Sequence, residues 1–282
     1  MAEHTYLDNA STTFPKPPCV AEAVFRYMTE AGTNVGRGEY AAAFDVEDMV
    51  FDLRSSLCEL FGGVDPSDVV LTRNVTEAIN LVLKGWLTPG DHVVVTSMEH
   101  NAVMRPLTQL TARGVTFSRV QCAQDGTLEA AEVERLITPR TRLVVMTHAS
   151  NVCGRVLPVK AVGEACRTHG VPLVVDAAQT AGVIPLDMRE CGASAVCFTG
   201  HKGLLGPQGT GGCVLDPAFA ERLEALVAGG TGSSSDSEEM PSFMPDRLEA
   251  GTPNLPGLAG LAAALGWLEK TGMDTVRAHE QA

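Results

Sequence analysis

Phe198-Thr-Gly-His-Lys-Gly-Leu-Leu-Gly-Pro-Gln-Gly-Thr-Gly211 sets a single lysine among small residues, directly after the short apolar run that ends at Phe198. Lys202 is a candidate chemical centre, because a lysine amine can form a Schiff base with an aldehyde and its charge responds strongly to its surroundings. The glycines around it, at positions 200, 203, 206, 209 and 211, would let backbone pass close to a ligand. The competing interpretation is a solvated glycine-rich turn. The choice between the two depends on the residues in the neighbouring segments.

The sequence on both sides of this loop alternates between short β-branched runs and helical patterns. The runs that indicate strands lie at 69–71, 92–95, 115–117, 143–145, 171–175, 195–198 and 212–215. The helical patterns between most of them lie at 76–86, 101–113, 128–137 and 159–169. Such alternation predicts an α/β domain with a largely parallel sheet covered by helices on both faces. Ligands of such sheets bind beyond the carboxyl ends of the strands, where we expect Asp176, Asn151 and the turn before Thr76 to converge.

The segments outside this alternating region have patterns of their own. The opening, up to Pro18, mixes small polar residues with prolines and is expected to be an extended arm. Helical periodicity then runs from Pro18 to Gly32, and again over apolar positions from 46 to 61. After the last strand we expect a helix to about Leu226, a flexible polar loop at 229–239 and a further helix at 255–268.

Composition excludes several classes of partner. Lys and Arg total 21 and Asp and Glu total 34, and the resulting net charge of −13 argues against nucleic acid and anionic membrane as main partners. The start has no basic and apolar leader, and no uninterrupted apolar run is long enough for a spanning helix, so we expect a soluble cytoplasmic protein. The eight cysteines are scattered singly, which favours neither a disulfide framework nor a metal site.

The run Val171-Pro-Leu-Val-Val-Asp-Ala-Ala-Gln179 is an apolar strand that ends in the carboxylate of Asp176. Asp176 lies 26 residues before Lys202 (202 minus 176). This arrangement suits a pyridoxal phosphate enzyme, in which an acidic residue keeps the pyridine nitrogen protonated so that the ring can accept electrons. The competing interpretation of Asp176 is a plain cap or turn former. The residues that follow other strands favour the enzyme.

Three of those residues have side chains that suit a flat, phosphorylated ligand. Val75 and Thr76 open a helix after a strand, so their amides and the Thr76 hydroxyl could hold a phosphate, although Thr76 could equally be a plain N-cap. His100 follows the strand at 92–95 and could stack on a ring, or be an ordinary loop residue. Asn151 could donate to a phenolate oxygen, or simply form a turn.

Seven segments of the chain resemble the cysteine desulfurase family, which is class V of the aminotransferase-like, fold type I pyridoxal phosphate enzymes. They occur in the family's order over nearly the whole chain, and agreement of that extent is highly specific. The segments are Tyr6-Leu-Asp-Asn-Ala-Ser-Thr-Thr13, Asn74-Val-Thr-Glu-Ala-Ile-Asn80, Met98-Glu-His-Asn101, Ser150-Asn-Val-Cys-Gly154, Val175-Asp-Ala-Ala-Gln179, Thr199-Gly-His-Lys202 and Glu249-Ala-Gly-Thr-Pro-Asn254. The resemblance implies a three-layer α/β/α fold with a largely parallel, mixed seven-stranded sheet.

The resemblance also implies a role for each matching residue. Lys202 and His100 would be the catalytic pair: Lys202 carries the cofactor as an internal aldimine and then moves the proton at Cα, while His100 stacks on the ring. Asp176 would pair with the pyridine nitrogen. The other implied contacts are Gln179 and Asn151 at the phenolate oxygen, Val75, Thr76, Thr199 and His201 at the phosphate, Thr252 at the phosphate of a neighbouring subunit, and Asn9 and Ala10 on the substrate side.

The function implied by the resemblance is conversion of L-cysteine to L-alanine with formation of an enzyme persulfide. The sulfur would pass to an acceptor protein, as in iron–sulfur cluster assembly, and the active unit would be a homodimer. A selenocysteine lyase or another class V aminotransferase-type enzyme would share the same residues. A non-catalytic pyridoxal phosphate-binding fragment or scaffold is the third reading. The residues leave these alternatives open.

The family pattern divides the chain into an N-terminal arm at 1–17, a pyridoxal phosphate-binding large domain at 18–253 and, at 254–282, the start of a linker helix toward a small domain that is mostly missing. In the family the nucleophilic cysteine and a carboxylate-binding arginine belong to that later part. We therefore expect a fragment or a naturally short paralogue, with poor desulfurase activity. Cys153 is the only candidate substitute nucleophile, and we expect it to be a small packing residue beside Asn151.

Overall fold

The centre of the molecule is a seven-stranded mixed sheet. The computed structural model describes residues 5–35, 40–234 and 236–281, so residues 1–4 of the predicted arm lie outside the described part. The strands are β1 (Val69–Thr72), β2 (His92–Thr96), β3 (Thr116–Val120), β4 (Thr141–Thr147), β5 (Leu173–Asp176), β6 (Ala195–Thr199) and β7 (Gly211–Leu215). Each predicted strand overlaps one of them.

The order across the sheet is β1-β7-β6-β5-β4-β2-β3. The strands from β6 through β3 pair in parallel, whereas β7 is antiparallel to both β6 and β1. The carboxyl ends of β2, β4, β5 and β6 therefore meet at one edge of the sheet. At that edge Thr147 of β4 lies directly opposite Asp176 of β5, and Asp176 lies opposite Cys197 of β6.

Helices cover both faces of the sheet. They are α1 (Pro18–Arg26), α2 (Ala41–Phe61), α3 (Val75–Trp86), α4 (Asn101–Thr111), α5 (Ala130–Glu134), α6 (Val159–Thr168), α7 (Met188–Cys191), α8 (Pro217–Ala220), α9 (Leu255–Thr271) and α10 (Met273–Gln281). Alternate residues of the central strands point into two separate apolar cores, because successive side chains of a strand face opposite sides of the sheet. The core residues of α3 and α4 lie on one face and those of α2, α6 and α9 on the other, which confirms the three-layer α/β/α prediction.

Some predicted helices differ in length from the observed ones. The helix predicted from the last strand to about Leu226 ends at Ala220, because the backbone N–H of Glu224 donates to the carbonyl of Gly85 in a tertiary hydrogen bond rather than to its own helix. The pattern at 128–137 forms a helix only at Ala130–Glu134. The helix from Pro18 widens into a π-helical turn at Tyr27–Ala31 and stops at Gly32, whose φ of 58° lies in the left-handed region. The segment predicted as the start of one linker helix at 254–282 forms two helices, α9 and α10.

The C-terminal helix α9 packs closely on α1 and α2. Its Gly260 allows this approach, because a Cβ there would lie 2.8 Å from a methyl of Val24 and 2.6 Å from the ring of Pro207. Leu261 of α9 is buried in the same core as Leu57 of α2. The predicted division at 1–17, 18–253 and 254–282 stays a prediction. No helix in the described ranges is both long enough and apolar enough to cross a bilayer.

Candidate active site

The candidate site lies at the edge where the parallel strands end, as the sequence predicts. Asp176 is the last residue of β5, and its side chain is buried. Its Oδ1 accepts a hydrogen bond from the backbone N–H of Ala178 at 2.9 Å. Burial raises the pKa of Asp176, while that hydrogen bond and the nearby His100 and Lys202 act in the opposite direction. Asp176 is therefore a buried acid whose ionised form is favoured by the Ala178 N–H, His100 and Lys202 and disfavoured by burial.

Lys202 is the complementary group, in the turn after β6. Its partly buried amine has a lowered pKa because of desolvation, and the carboxyl of Asp176 counteracts this effect. A lowered pKa increases the neutral fraction of the amine, which is the nucleophilic form. Asp176 and Lys202 thus lie at the ends of adjacent strands, and each shifts the pKa of the other. A group held between them would have an acid on one side and an amine on the other.

The turn that carries Lys202 is tightly folded. The carbonyl of Lys202 accepts from the N–H of Leu205 at 2.8 Å, and that of Gly200 accepts from Gly206 at 2.7 Å. Leu205 has a φ of 61°, which a non-glycine residue rarely adopts. The expectation that the glycines admit a ligand needs correction at Gly203, where a Cβ would lie 2.5 Å from the carbonyl oxygen of Ala181. That glycine makes room for the protein's own backbone.

His100 forms the open side of the site. Its ring is exposed, and Nδ1 accepts a hydrogen bond from the N–H of Ala102 at 3.1 Å, so His100 is the N-cap of α4. Because Nδ1 is the acceptor, the neutral ring carries its proton on Nε2. The cap fixes the ring orientation beside Asp176 and leaves its face accessible for stacking.

The helix α3 starts after β1 with Asn74 as its N-cap. The Oδ1 atom of Asn74 accepts from the N–H of Glu77 at 3.0 Å, so the alternative that Thr76 is the N-cap is wrong. The amides of Val75 and Thr76 belong to the first helical turn, where N–H groups have no acceptor within the helix. The side chain of Thr76 is exposed. This helix start can therefore bind an anion.

The other two predicted phosphate ligands make contacts within the protein. Thr199 is buried at the end of β6, and its hydroxyl donates to the carbonyl of Thr210 over a long 3.5 Å. The Nδ1 atom of His201 lies 3.0 Å from the hydroxyl of Thr12. Burial lowers the pKa of His201, and the charges of Lys202 and Lys16 lower it further. The neutral form of the His201 ring is therefore favoured.

The predicted phenolate ligands lie on two different loops. Asn151 is exposed in the turn that follows β4. Gln179 donates from Nε2 to the carbonyl of Ala10 in the arm at 3.1 Å. Asn9, the other predicted substrate residue, accepts the N–H of Phe14 on its Oδ1 at 3.2 Å. The arm therefore closes over one side of the site and brings Ala10 to Gln179.

The arm also holds the lysine turn, which sequence reasoning missed. Thr13 donates from its hydroxyl to the carbonyl of Lys202 at 2.8 Å, and from its N–H to that of His201 at 3.1 Å. Lys16 donates from Nζ to the same His201 carbonyl at 2.5 Å, and burial lowers the pKa of Lys16 to about 8. The partners are more than 180 residues apart in sequence, so only the fold reveals them. The threonines and lysine of the arm were the available signal.

A second carboxyl, on Glu99, lies beneath the site and was also missed as a functional residue. Its Oε1 accepts from the hydroxyl of Thr96 at 2.6 Å and from the backbone N–H of Thr147 at 3.1 Å. Burial raises the pKa of Glu99 to about 8, and the charge of Asp176 contributes to the increase. Its position directly before His100 was the only sequence signal.

Thr252 belongs to a different region from Lys202. It lines a cavity of about 430 Å³ together with Arg73 and Gly209. The segment around it is anchored by Glu249, which pairs with both guanidinium nitrogens of the buried Arg54 at 2.8 Å each and accepts the N–H of Leu71 at 2.6 Å. The described contacts do not join Thr252 to Lys202, so its predicted role toward a neighbouring subunit stays a prediction.

Cys153 is exposed, so the expectation that it packs beside Asn151 is wrong. Its turn is built by the carbonyl of Ser150, which accepts from the N–H of Gly154 at 2.9 Å, and by the Ser150 hydroxyl. Contacts with Arg155 and then Ser150 lower the pKa of the Cys153 thiol. The tight turn leaves no neighbouring surface on which the thiol could be buried.

The donor set suits an anionic aromatic aldehyde better than a metal ion. No three potential metal ligands cluster within the ranges 5–35, 40–234 and 236–281. A buried acid, a desolvated amine, an accessible imidazole face and a free helix start instead surround one edge of the sheet. These groups fit the pyridine nitrogen, aldehyde, ring and phosphate of pyridoxal phosphate.

Comparison with known proteins agrees with this assignment. The profile of the family described as aminotransferase class-V matches residues 5–282. A probable cysteine desulfurase from Methanothermobacter thermautotrophicus is 35% identical over an alignment 283 residues long, gaps included, which covers 99% of this chain and 70% of the relative. The apo structure of a cysteine desulfurase from Thermococcus onnurineus superposes with a TM-score of 0.89 at 30% identity, covering 98% of this chain and 70% of the other.

A complex of the cystine C–S lyase C-DES with its reaction product, cysteine persulfide, is a further structural neighbour. Its TM-score is 0.85 at 29% identity, and the match covers 96% of this chain and 73% of C-DES. The sequence match and the structural match thus extend over the same nearly complete length of this chain. The chain belongs to the aminotransferase class-V family and, within it, to the pyridoxal phosphate-dependent cysteine desulfurases.

Proposed function

We propose that the chain binds pyridoxal phosphate on Lys202 and removes sulfur from L-cysteine, leaving L-alanine and a persulfide. The observation that carries the proposal is the position of Asp176 and Lys202 at the ends of two adjacent strands, where the acid is buried, the amine is partly desolvated and each shifts the pKa of the other. When bound, the cofactor supplies an electron sink for the carbon that loses its proton. The protein residues have to orient that sink and move the proton.

Lys202 has the second task. Its lowered pKa increases the neutral fraction of the amine, which can attack an aldehyde and, once free, can take a proton from the substrate Cα and return it. The hydrogen bonds from Thr13 to the Lys202 carbonyl and from Lys16 to the His201 carbonyl hold the backbone in place while the side chain moves. Proton transfer by a positioned group of this kind contributes about 100- to 10,000-fold to a rate.

Asp176 has the first task. As a buried carboxylate it holds a proton on the pyridine nitrogen, because a charge pair is strong in a poorly solvated site. His100, fixed as the N-cap of α4, stacks on the ring. The amides of Val75 and Thr76, with Thr199 and His201, bind the phosphate, and Asn151 and Gln179 bind the phenolate oxygen. Asn9 and Ala10 line the substrate side.

Cys153 is the thiol that we propose as the sulfur acceptor on this chain. It is the one exposed cysteine among the eight, and its pKa is lowered, so more of it is the reactive thiolate. The turn that carries it also carries Asn151, which the proposal places at the cofactor. A thiolate there could attack the sulfur of bound cysteine: the S–S bond forms as the Cβ–S bond breaks, and the electron pair left on the substrate carbon takes a proton, so that alanine and a persulfide on Cys153 result.

The test is sulfide release from L-cysteine in the presence of a reducing thiol, measured for the chain and for Cys153→Ala. Release that depends on Cys153 supports both the reaction and the acceptor. Release that is unchanged in Cys153→Ala keeps the reaction and rejects the acceptor. Absence of release, together with a normal cofactor absorbance spectrum, would favour the non-catalytic alternative.

The biological setting belongs to the same proposal. We infer a cytoplasmic homodimer in which Thr252 reaches the phosphate bound by the other subunit, and a protein that accepts the sulfur for iron–sulfur cluster assembly. Glu249 supports this use of Thr252, since its pairing with Arg54 fixes the segment beside an open cavity. Loss of dimer-dependent cofactor binding in Thr252→Ala, without loss of the dimer itself, is the expected result in ultracentrifugation combined with cofactor titration.

A further inference from the structure

Glu99 lies between the carboxyl ends of β2 and β4, and none of the steps above uses it. Both of its hydrogen bonds go to the same oxygen: Oε1 accepts from the Thr96 hydroxyl at 2.6 Å and from the Thr147 N–H at 3.1 Å. The Thr96 hydroxyl itself accepts from the N–H of Met98 at 3.1 Å. The contacts therefore tie the turn that leads into α4 to the neighbouring strand β4.

The second oxygen of Glu99 differs from the first. Although the residue as a whole is only half-buried, Oε2 is sealed from solvent and has no hydrogen-bond partner within the described ranges. An ionised carboxylate in this position would hold part of its charge on an atom without a donor, which is strongly unfavourable in a buried site. A carboxylic acid with its proton on Oε2 leaves Oε1 free to accept both hydrogen bonds.

The neighbouring acid, Asp176, also favours a protonated Glu99. Thr147, which donates to Glu99, lies opposite Asp176 in the sheet register, and the two carboxyl groups interact unfavourably when both are charged. His100 and Lys202, at the same edge, lower the pKa of Asp176 and so favour its ionised form. Two nearby buried acids that cannot both ionise share their protons unequally, and here the proton belongs on Glu99.

We propose that Glu99 is a positioning residue that works as a neutral carboxylic acid. It anchors the turn before His100 to β4, and it leaves the negative charge beneath Lys202 on Asp176. This inference deepens the proposed function and rests on the roles given there to His100 and Asp176. The protonation of Glu99 can be measured without any turnover, so this inference and the proposed function can fail separately.

The first experiment measures that protonation by infrared difference spectroscopy of the full chain at neutral pH, with and without pyridoxal phosphate. A protonated carboxylic acid has a carbonyl band distinct from that of a carboxylate. We expect such a band in the parent chain and in Asp176→Asn, and its loss in Glu99→Gln. A parent spectrum in which Glu99→Gln removes only carboxylate absorbance would overturn the inference, whatever the activity of the chain.

The second experiment compares two variants in cofactor binding. Glu99→Gln keeps an oxygen that accepts from Thr96 and Thr147, and it is uncharged. The Kd for pyridoxal phosphate should therefore stay within about threefold of the parent value, and the pH midpoint of the bound cofactor absorbance should not shift. Glu99→Ala leaves both donors without an acceptor, and binding should weaken about tenfold. Circular dichroism controls for folding. A Gln variant as weak as the Ala variant, or a shifted midpoint in the Gln variant alone, contradicts a neutral Glu99.

Discussion

The floor and the rim of the candidate site hold polar residues under opposite conditions of burial. The floor consists of Thr147 and Asp176, which are buried, and Glu99, whose Oε2 is sealed from solvent. The rim consists of Thr76, His100, Asn151 and Cys153, which are exposed. Burial raises the pKa of both floor acids, whereas local hydrogen bonds lower that of the rim thiol.

This difference separates two kinds of contribution. On the floor, charges interact with little screening, so the protonation state of one residue constrains its neighbour. On the rim, water competes for every contact, and each residue contributes on its own. Substitutions that change a charge on or above the floor should therefore have larger effects than substitutions on the rim, and they should change the pH dependence as well as the magnitude.

The largest effect is expected for Lys202→Ala, which removes the amine above the floor. The rate of sulfur release should fall by about 100- to 10,000-fold, because both the covalent attachment and the proton transfer are lost. Lys160→Ala, in the exposed first turn of α6, is the matched control and should keep the parent rate. Comparable losses in both variants would show that the effect is not specific to the site.

Asp176→Asn should come next, with a loss of about 100-fold in the rate of Cα proton exchange of bound amino acids, since a neutral amide does not stabilise a protonated ring nitrogen. The carboxyl of Asp176 raises the pKa of Lys202, so its removal should also shift the pH midpoint of cofactor attachment downward. Asp125→Asn, on the exposed surface, controls for a general charge effect. Unchanged exchange and an unchanged midpoint would refute the role of Asp176 on the floor.

Glu99 predicts a smaller, pH-dependent effect on stability. Its folded-state pKa of about 8 lies above the ordinary value of 4.5, so the protonated form stabilises the fold below pH 4.5 and this contribution is lost as the pH rises to about 8. Across that range, the free energy of unfolding of the parent should therefore fall relative to that of Glu99→Gln, by an amount on the order of a few kcal/mol. Urea titrations of both chains at about pH 5, 6.5 and 8 measure this difference in unfolding free energy. A difference that grows in the opposite direction would mean that Glu99 is ionised in the fold.

The smallest effect is expected on the rim. His100→Phe keeps an aromatic face and should change the Kd for pyridoxal phosphate little, whereas His100→Ala should raise it about 3- to 10-fold. Fluorescence titration distinguishes the two. If His100→Phe were as weak as His100→Ala, hydrogen bonding or charge of the imidazole would be the important property, and the rim would resemble the floor.

The sequence alone predicts Asp176 on the floor and Thr76, His100 and Asn151 on the rim, but not the exposure of Cys153. Asp176 and His100 each follow a recognisable strand, and alternating strands and helices imply that such residues meet at one edge. The role of Glu99 could not be predicted, because it depends on β4 lying beside β2 with β3 on the outside, and strand order is not written in the local pattern. The contacts of Lys16 and Thr13 with the lysine turn likewise join segments that are far apart in sequence, the N-terminal arm and the turn after β6. Asn74 rather than Thr76 caps α3, although both residue types are good caps.

The most direct test of the account is chemical mapping of the residue that carries the cofactor. The purified chain is incubated with pyridoxal phosphate, reduced with borohydride and digested, and the modified lysine is identified by mass spectrometry. We expect the label on Lys202, with labelling lost in Lys202→Ala and slower at low pH, where the amine is protonated. Label on Lys16, Lys84 or Lys160 instead, or equal label on the parent and on Lys202→Ala, would contradict the assignment of Lys202 as the amine that faces Asp176.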